Sequence, residues 1–254
     1  MQGIRTTIVS TRGLFAFCSA ALFCAGSVGA ADVATVLENA HLLGPSESIV
    51  LRAVMDIHSR GGASTRTVEV SIEREADGAA RILAQVIEPA FLRNLKFLMH
   101  RDHRGRSDFW MRTSSGTRRL TGRDNTESIF NSDFTVEDFS YIDIAAYELA
   151  LLPDQPAGST VIDGRLTQAS PTHTRRVFTV EDETGLIERV RYLDANGRMV
   201  KEYELLTRQE ISGQTLPHEA VMTNHTEGTF TKLTIVSVDP DARIPARVFN
   251  PAGL

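Results

Sequence analysis

The chain has 254 residues, of which 42% are hydrophobic and 23% are charged, with two cysteines and a formal net charge of −5. This length and apolar content are typical of a folded globular protein of one or two domains, and they exclude wholesale disorder. The acidic total argues against a nucleic-acid-binding protein, which usually carries a basic surface.

The first 30 residues have the pattern of a removable secretory signal peptide. Arg5 and Arg12 supply positive charge, residues 14–23 form an apolar run, and residues 28–30 end the run with small side chains. A membrane anchor would need roughly 20 apolar residues, and this run is shorter. We therefore predict cleavage after Ala30 and export of the remaining chain.

Cleavage changes the totals of the working protein. Removal of residues 1–30 leaves 224 residues and takes away two arginines but no acidic residue, so the net charge falls to −7. Cys18 and Cys24 both leave with the leader, which excludes disulfides, a thiol nucleophile and a Cys-ligated metal. We expect residues 31–254 to form one domain.

The sequence predicts a short helix followed by a series of strands. After Asp32, apolar residues recur at positions 33, 36, 37 and 40, which predicts a short helix that ends by Gly44-Pro45. Residues 67–73 alternate between apolar and polar side chains and predict a half-buried strand. Glycine-containing turn signals then recur at hairpin spacing along most of the chain. The strongest is Asn196-Gly197, which predicts a type I′ hairpin turn between residues 186–194 and 199–207.

One stretch departs from this pattern. Residues 124–152 lack glycine and carry five aromatic side chains, and residues 135–138 have the form of a capping box, which predicts a short helix. Strands and few helices together predict an α+β domain with a large antiparallel sheet and helices on one face.

Several strands are apolar on both faces. In residues 80–88, Ile82 and Ala84 point to one face while Leu83 and Ile87 point to the other. A sheet with one face in water alternates more cleanly. Either both faces are covered by other elements, or one face lines an apolar cavity. The pattern alone slightly favours the first explanation.

Signals for catalysis or metal binding are weak. His100 and His103 flank Arg101-Asp102, but neighbouring arginines disfavour a metal ion, so a solvated loop is the preferred interpretation. No nucleophile elbow, phosphate-binding loop or zinc-protease motif occurs in the sequence. A hydrolase that uses surface carboxylates is the least favoured hypothesis. We predict no catalytic residue, no metal and no cofactor.

Basic residues are concentrated in the middle of this acidic chain. Such a cluster predicts binding to an anionic lipid headgroup, a membrane surface or an acidic partner. The equally weighted alternative is that these side chains solvate strand edges. The cluster comprises Arg101, Arg104, Arg106, Arg112, Arg118, Arg119 and Arg123.

Several blocks of sequence resemble a known bacterial family. The most specific is Ser-Asp-Phe-Thr-Val-Glu-Asp at 132–138, within residues 130–139. The others are residues 89–98, residues 108–112 with Trp110, residues 117–120 with the Arg118-Arg119 pair, and residues 243–251. In their order along the chain they resemble the outer membrane lipoprotein-sorting proteins, relatives of the periplasmic lipoprotein carriers LolA and LolB. The resemblance spans residues 32–254. Asn131, where the family usually has Gly, and the Trp-Met-Arg at 110–112, which replaces Trp-x-Tyr, depart from the pattern.

The resemblance implies a single LolA-like fold, a strongly curved antiparallel β half-barrel with helices covering its concave face and a cavity for acyl chains between them. It implies a lid role for the aromatic stretch and a rim role, toward a headgroup or partner, for Arg112, Arg118 and Arg119. The cavity lining it implies is Leu83, Ile87, Phe97, Phe109, Trp110, Phe130, Phe134 and Phe139.

The function implied is a soluble periplasmic carrier that shields the acyl chains of a lipid or lipoprotein on the way to the outer membrane. Its expected partners are that cargo and a membrane transporter or an outer-membrane acceptor, and no nucleic acid. The alternative is a periplasmic sensor or adaptor on the same fold that regulates or assists a membrane lipid exporter.

Overall fold

The computed structural model describes residues 30–43, 46–139, 144–168 and 170–254. The predicted signal peptide lies outside the described residues apart from Ala30, at which the helix α1 (Ala30–Asn39) begins. In the described ranges, no helix has the length and apolar character needed to cross a bilayer.

Thirteen strands of the described residues form one antiparallel sheet, in the order β6-β5-β4-β3-β2-β1-β13-β12-β11-β10-β9-β8-β7. Nearly every strand pairs with its neighbours in sequence, as the recurring turn signals predicted. In chain order the strands are β1 Ser48–Ser59, β2 Gly62–Arg74, β3 Ala80–Glu88, β4 Lys96–Arg101, β5 Ser107–Thr113, β6 Gly116–Leu120, β7 Tyr147–Leu151, β8 Ser159–Leu166, β9 Arg175–Glu181, β10 Ile187–Leu193, β11 Met199–Ile211, β12 Gln214–Asn224 and β13 Thr229–Asp239.

The predicted hairpin at Asn196-Gly197 is confirmed, but its turn is of another type. Only Gly197 has a positive φ, 76°, so the loop is a tight turn followed by a left-handed glycine. The Asp194 carboxylate accepts hydrogen bonds from the backbone N–H groups of Asn196 (2.8 Å) and Arg198 (2.9 Å), which stabilises this form.

The sheet has a main core on one face, which we call the inner face. Alternating side chains such as Val68, Val70 and Ile72 of β2 pack there with Val33 and Leu37 of α1 in one large buried cluster. A smaller cluster on the other face buries Leu83 and Leu98 against Phe249 and Leu254 of the C-terminal segment. The two-faced strands are therefore covered on both sides.

The sheet is not closed by strand pairing between its edges, β6 and β7, in the described structure. One groove nevertheless has walls from both edges, Arg119 and Leu120 of β6 and Tyr147 of β7, so the sheet curls until its edges approach each other. The prediction that helices cover the inner face is not confirmed. Among the described residues, α1 packs there together with short 3-10 turns such as Val136–Phe139.

Candidate functional site

A small apolar cavity lies between the inner face and residues 129–139, which we call the cover segment. Its volume is about 80 Å³. Strands β1–β4, β11 and β13 form one wall, while the cover segment and Leu42-Leu43 form the other. Apart from Tyr203, every described side chain at the cavity is apolar. The lining comprises Leu42, Leu43, Leu51, Ala53, Met55, Val68, Val70, Ile82, Ala84, Phe97, Ile129, Phe130, Phe134, Phe139, Tyr203 and Leu233.

Four of the eight predicted lining residues lie at this cavity. They are Phe97 of β4 and Phe130, Phe134 and Phe139 of the cover segment. The rings of Phe97 and Phe139 are 5.4 Å apart, so the sheet and the cover segment meet through aromatic contact. Phe109 is buried behind Phe97 (5.8 Å between centroids) and faces the groove between the sheet edges instead.

The other three predicted lining residues need correction, because they do not face the cavity. Leu83 is buried in the small outer cluster, and Trp110 packs against that cluster. Ile87 lies at a register shift between β2 and β3 and is not among the residues that line the cavity. On both faces these strands are apolar, so the alternation could not show which face holds the cavity.

The predicted rim arginines have partners within the chain. Arg112 donates a hydrogen bond to the carbonyl oxygen of Leu254. Arg118 pairs with Asp124 (3.3 Å) and with Glu127. Arg119 pairs with Asp108 at 2.5 Å and lies 5.9 Å from the Trp110 ring centroid. None of the three lies at the apolar cavity, so a headgroup role for them remains an untested prediction.

The departure at Asn131 has a conformational explanation. Phe130 and Asn131 both have positive φ, 57° and 55°, and the Ser132 N–H donates to the Ile129 carbonyl at 3.1 Å, which closes a tight turn. A left-handed backbone favours glycine and tolerates asparagine better than most other residues. Asn131 therefore preserves the turn that points Phe130 into the cavity.

Buried polar contacts fix the cover segment to the sheet at Asp138. This side chain is 1% exposed, and its carboxylate accepts hydrogen bonds from Lys201 Nζ (2.6 Å) and from the Tyr192 hydroxyl (2.7 Å). Burial alone would raise the pKa of Asp138, but the charges of Lys201 and Arg176 hold this pKa below its usual value. The residue is therefore an ionised, paired carboxylate within the core.

A second buried group surrounds Arg176. Its Nε donates to His173 Nε2 at 2.9 Å, and its Nη1 donates to the Glu137 carbonyl at 3.0 Å. Burial, followed by the nearby Arg176 charge, lowers the pKa of His173 to about 3, so the imidazole is neutral at physiological pH. Burial raises the pKa of Glu137.

Asp133 attaches the other end of the cover segment. Its carboxylate accepts hydrogen bonds from the hydroxyl groups of Thr229 (2.5 Å) and Thr231 (2.7 Å) on β13. The Glu137 carboxylate accepts a hydrogen bond from the Ser170 hydroxyl at 3.0 Å. The three acidic residues of the block at 132–138 thus attach the cover segment to other parts of the chain. Sequence reasoning identified the block but not its partners, which lie far away in the chain.

The site carries no arrangement suited to metal chemistry in the ranges the structure describes, where no cluster of three or more His, Cys, Asp or Glu side chains is placed to hold an ion. His100, one of the weak metal candidates, instead bonds through Nε2 to the Phe249 carbonyl at 2.8 Å. What the described site offers is apolar volume under a fastened cover.

Comparison with known proteins places the fold. A family profile described as "uncharacterized protein" matches residues 78–254. A DUF1329 family protein from Desulfovibrio piger shares 22% identity over 88% of this chain and 96% of its own, with a TM-score of 0.74. A protein described as an outer membrane lipoprotein-sorting protein domain, from Vibrio parahaemolyticus, shares 20% over 81% and 90%, with a TM-score of 0.71.

A LolA superfamily protein from Nitrosomonas europaea is also similar, with 16% identity over 90% of this chain and all of its own, and a TM-score of 0.65. No curated protein matches the chain. The identities are low, so the solved structures establish the fold and nothing finer. The chain belongs to the family whose profile covers residues 78–254, and its fold is the LolA-like fold of the outer membrane lipoprotein-sorting proteins that the sequence resembles.

Proposed function

We propose that this protein is a periplasmic carrier that shields the acyl chains of a lipid or lipoprotein during transport toward the outer membrane. The observation that carries the proposal is the apolar cavity beneath the cover segment, whose walls offer a ligand hydrocarbon contact and almost no polar group. On this proposal the sheet is a curved half-barrel whose concave inner face is covered by α1 and the cover segment.

The cavity is small for an acyl ligand. Small-molecule sites usually enclose about 300–1,000 Å³, whereas this cavity holds about 80 Å³. Its walls must therefore move apart before a long acyl chain fits. An acyl chain enters only when the cover segment or Leu42-Leu43 moves outward.

The free energy gained by burying an acyl chain favours such an opening. Burial contributes roughly 0.8 kcal/mol per methylene group, so one long acyl chain contributes on the order of 10 kcal/mol before losses. This gain offsets the cost of separating contacts such as the Asp138–Lys201 ion pair when the cover segment moves outward.

The fastening points give the carrier a way to release its cargo. Once the chain leaves for a more apolar acceptor, Asp133 and Asp138 regain their partners on β13 and β11. Closure thus offsets part of the free energy needed to give up the lipid. No covalent step is required. The expected acceptor is a membrane transporter or an outer-membrane protein.

A fluorescent fatty acid tests the proposal. Purified mature protein is titrated with the probe, and palmitate is then added as a competitor. We expect saturable binding of about one probe per chain and displacement by palmitate. Absence of saturable binding would overturn the proposal. Binding without transfer of lipid between donor and acceptor vesicles would instead favour the sensor or adaptor.

A further inference from the structure

A second pocket, which we call the mouth, adjoins the apolar cavity at one end of the strands. The mouth has a volume of about 250 Å³ and lies between the end of α1 and the strand ends of β2, β3 and β4. Leu42, Leu43, Ile82 and Phe139 line both spaces. An acyl chain in the cavity would therefore leave its polar end in the mouth.

Two arginines stand at the end of the apolar rows that lead into the mouth. On β2 the inward row Val68, Val70, Ile72 continues to Arg74, and on β4 the row Phe97, Met99 continues to Arg101. Both arginines line the mouth and are half-buried. Cationic groups thus follow directly on the hydrocarbon surface, as an amphiphile requires.

Strand register brings the two arginines to the same level. Arg74 pairs with Ala80 on β3, and Ala80 pairs in turn with Arg101. The two arginines are therefore separated by one intervening strand, about 10 Å between backbones. Because the residue between them is alanine, space is left for a small anion that both guanidinium groups can reach.

Hydrogen bonding leaves Arg101 able to bind a ligand. Its Nε atom is buried and has no hydrogen-bond partner in the described part of the chain. A buried donor of this kind costs free energy unless it is satisfied. Arg74 donates through Nη1 to the Ser46 carbonyl at 2.5 Å, a bond that orients its guanidinium at the mouth.

His41 defines the third side of the mouth. Its Nε2 lies 2.9 Å from the Thr184 carbonyl, which can only accept, so Nε2 carries the proton and the buried Nδ1 is left as an acceptor without a partner among the described residues. Burial and the charge of Arg74 lower the pKa of His41 to about 4, so this ring adds no charge at neutral pH.

The acidic residues at the mouth lie further out. Glu38 on α1 and Glu75 after β2 also line it, but both are exposed, and Glu75 lies 3.8 Å from Arg81. Arg74 and Arg101 are less exposed than these two glutamates, so an anion beside the arginines is less screened by water than one at the exposed rim.

We infer that the mouth binds the anionic headgroup, a phosphate or carboxylate, of an amphiphile whose acyl chain occupies the apolar cavity. Arg74 and Arg101 hold the anion, since guanidinium groups donate paired hydrogen bonds to phosphate and carboxylate oxygens. The inference rests on the proposed carrier function and adds the class of cargo: acyl lipids with a negative headgroup. It places the headgroup at these two residues and not at Arg112, Arg118 or Arg119.

Matched ligands test the inference. Palmitate and hexadecanol have the same chain and differ in headgroup charge, and inorganic phosphate supplies the anion without a chain. Displacement of a fluorescent fatty alcohol measures all three in the wild-type protein. We expect palmitate to bind at least about tenfold more tightly than hexadecanol, in line with a charge-assisted hydrogen bond. Phosphate alone should not displace the probe.

Variants of Arg101 test whether this residue causes the tighter binding of palmitate. Arg101→Gln should weaken palmitate about tenfold and leave hexadecanol unchanged, while Arg101→Lys should recover part of the loss. Arg104→Gln, the same charge change in the exposed turn after β4, should change neither ligand. Should Arg101→Gln fail to fold by circular dichroism, Ala80→Glu places a carboxylate between the arginines and should weaken palmitate alone.

The outcomes separate this inference from the carrier proposal. Equal affinity for palmitate and hexadecanol in the wild type, or equal loss of both in Arg101→Gln, would overturn the headgroup site and leave the carrier intact. Binding of neither ligand would overturn the carrier. Displacement by phosphate alone would indicate a site for free anions and would also overturn the inference.

Discussion

Filling the cavity should raise stability and weaken acyl binding at the same time. Ala84 lies on β3 with its side chain at the cavity, and Ala84→Leu adds three carbon atoms there. An empty apolar cavity costs about 24 cal/mol per Å³. For a volume of about 80 Å³, complete filling therefore gains about 2 kcal/mol in the free energy of unfolding. Steric strain subtracts from this gain.

Two assays on the same variant check this prediction. Urea unfolding measures the free energy of unfolding, and titration with a fluorescent fatty acid measures binding. The control is Gln85→Leu, the next residue on β3, which points to the opposite face and should leave binding unchanged. If Ala84→Leu binds the probe as tightly as the wild type, the cavity is not the acyl site and the reasoning is wrong.

Three further predictions concern the cover segment and the buried histidines. Lys201→Met should lower the free energy of unfolding by about 3–5 kcal/mol, measured with urea, because it removes the ion-pair partner of the buried Asp138 carboxylate. Adding Asp138→Asn should restore most of the loss. An equal loss in both variants would contradict an ion pair at this position. Asn131→Ala should lower the stability of the fold by about 1 kcal/mol and Asn131→Gly by much less, since φ is 55° at this position. Thermal unfolding compares the two variants, and a more stable alanine variant would contradict the left-handed turn. His41 has a pKa of about 4 in the folded chain and about 6.5 when unfolded, so the unfolded state gains the proton first on acidification. The neutral His41 ring therefore makes its full contribution to the free energy of unfolding above about pH 7. Below about pH 6.5 this contribution falls by up to about 1.4 kcal/mol per pH unit. His173, with a pKa of about 3, also lowers the free energy of unfolding as the pH falls. The raised pKa of Glu137 has the opposite effect at more acidic pH. Urea unfolding between about pH 7 and about pH 5 should therefore show a shallower slope in His41→Gln, and an unchanged slope would refute this assignment.

Much of the fold could be predicted because it is local. Alternating apolar residues identified β2, and the glycine turns identified the hairpins, since both signals act over a few residues. The predicted type I′ turn at Asn196-Gly197 was wrong because the Asp194 side chain stabilises another turn geometry. That choice depends on a side-chain contact that composition does not reveal.

The site was harder to predict because its contacts are distant in sequence. Lys201 reaches Asp138 across 63 positions, and no local pattern predicts such a pair. Leu83 and Trp110 were assigned to the wrong face because a second cluster with Phe249 covers the outer side of the sheet. For Arg101 a signal did exist: an inward apolar row ends in an arginine at the end of its strand.

The central claim is that the space under the cover segment holds an acyl chain. Native mass spectrometry of the mature protein, isolated from the envelope of its own cell, tests it most directly. We expect a species heavier than the protein by one acyl lipid, abundant in the wild type and in Gln85→Leu but reduced in Ala84→Leu. A wild-type protein that carries no lipid, and takes up none when mixed with vesicles, would contradict the account.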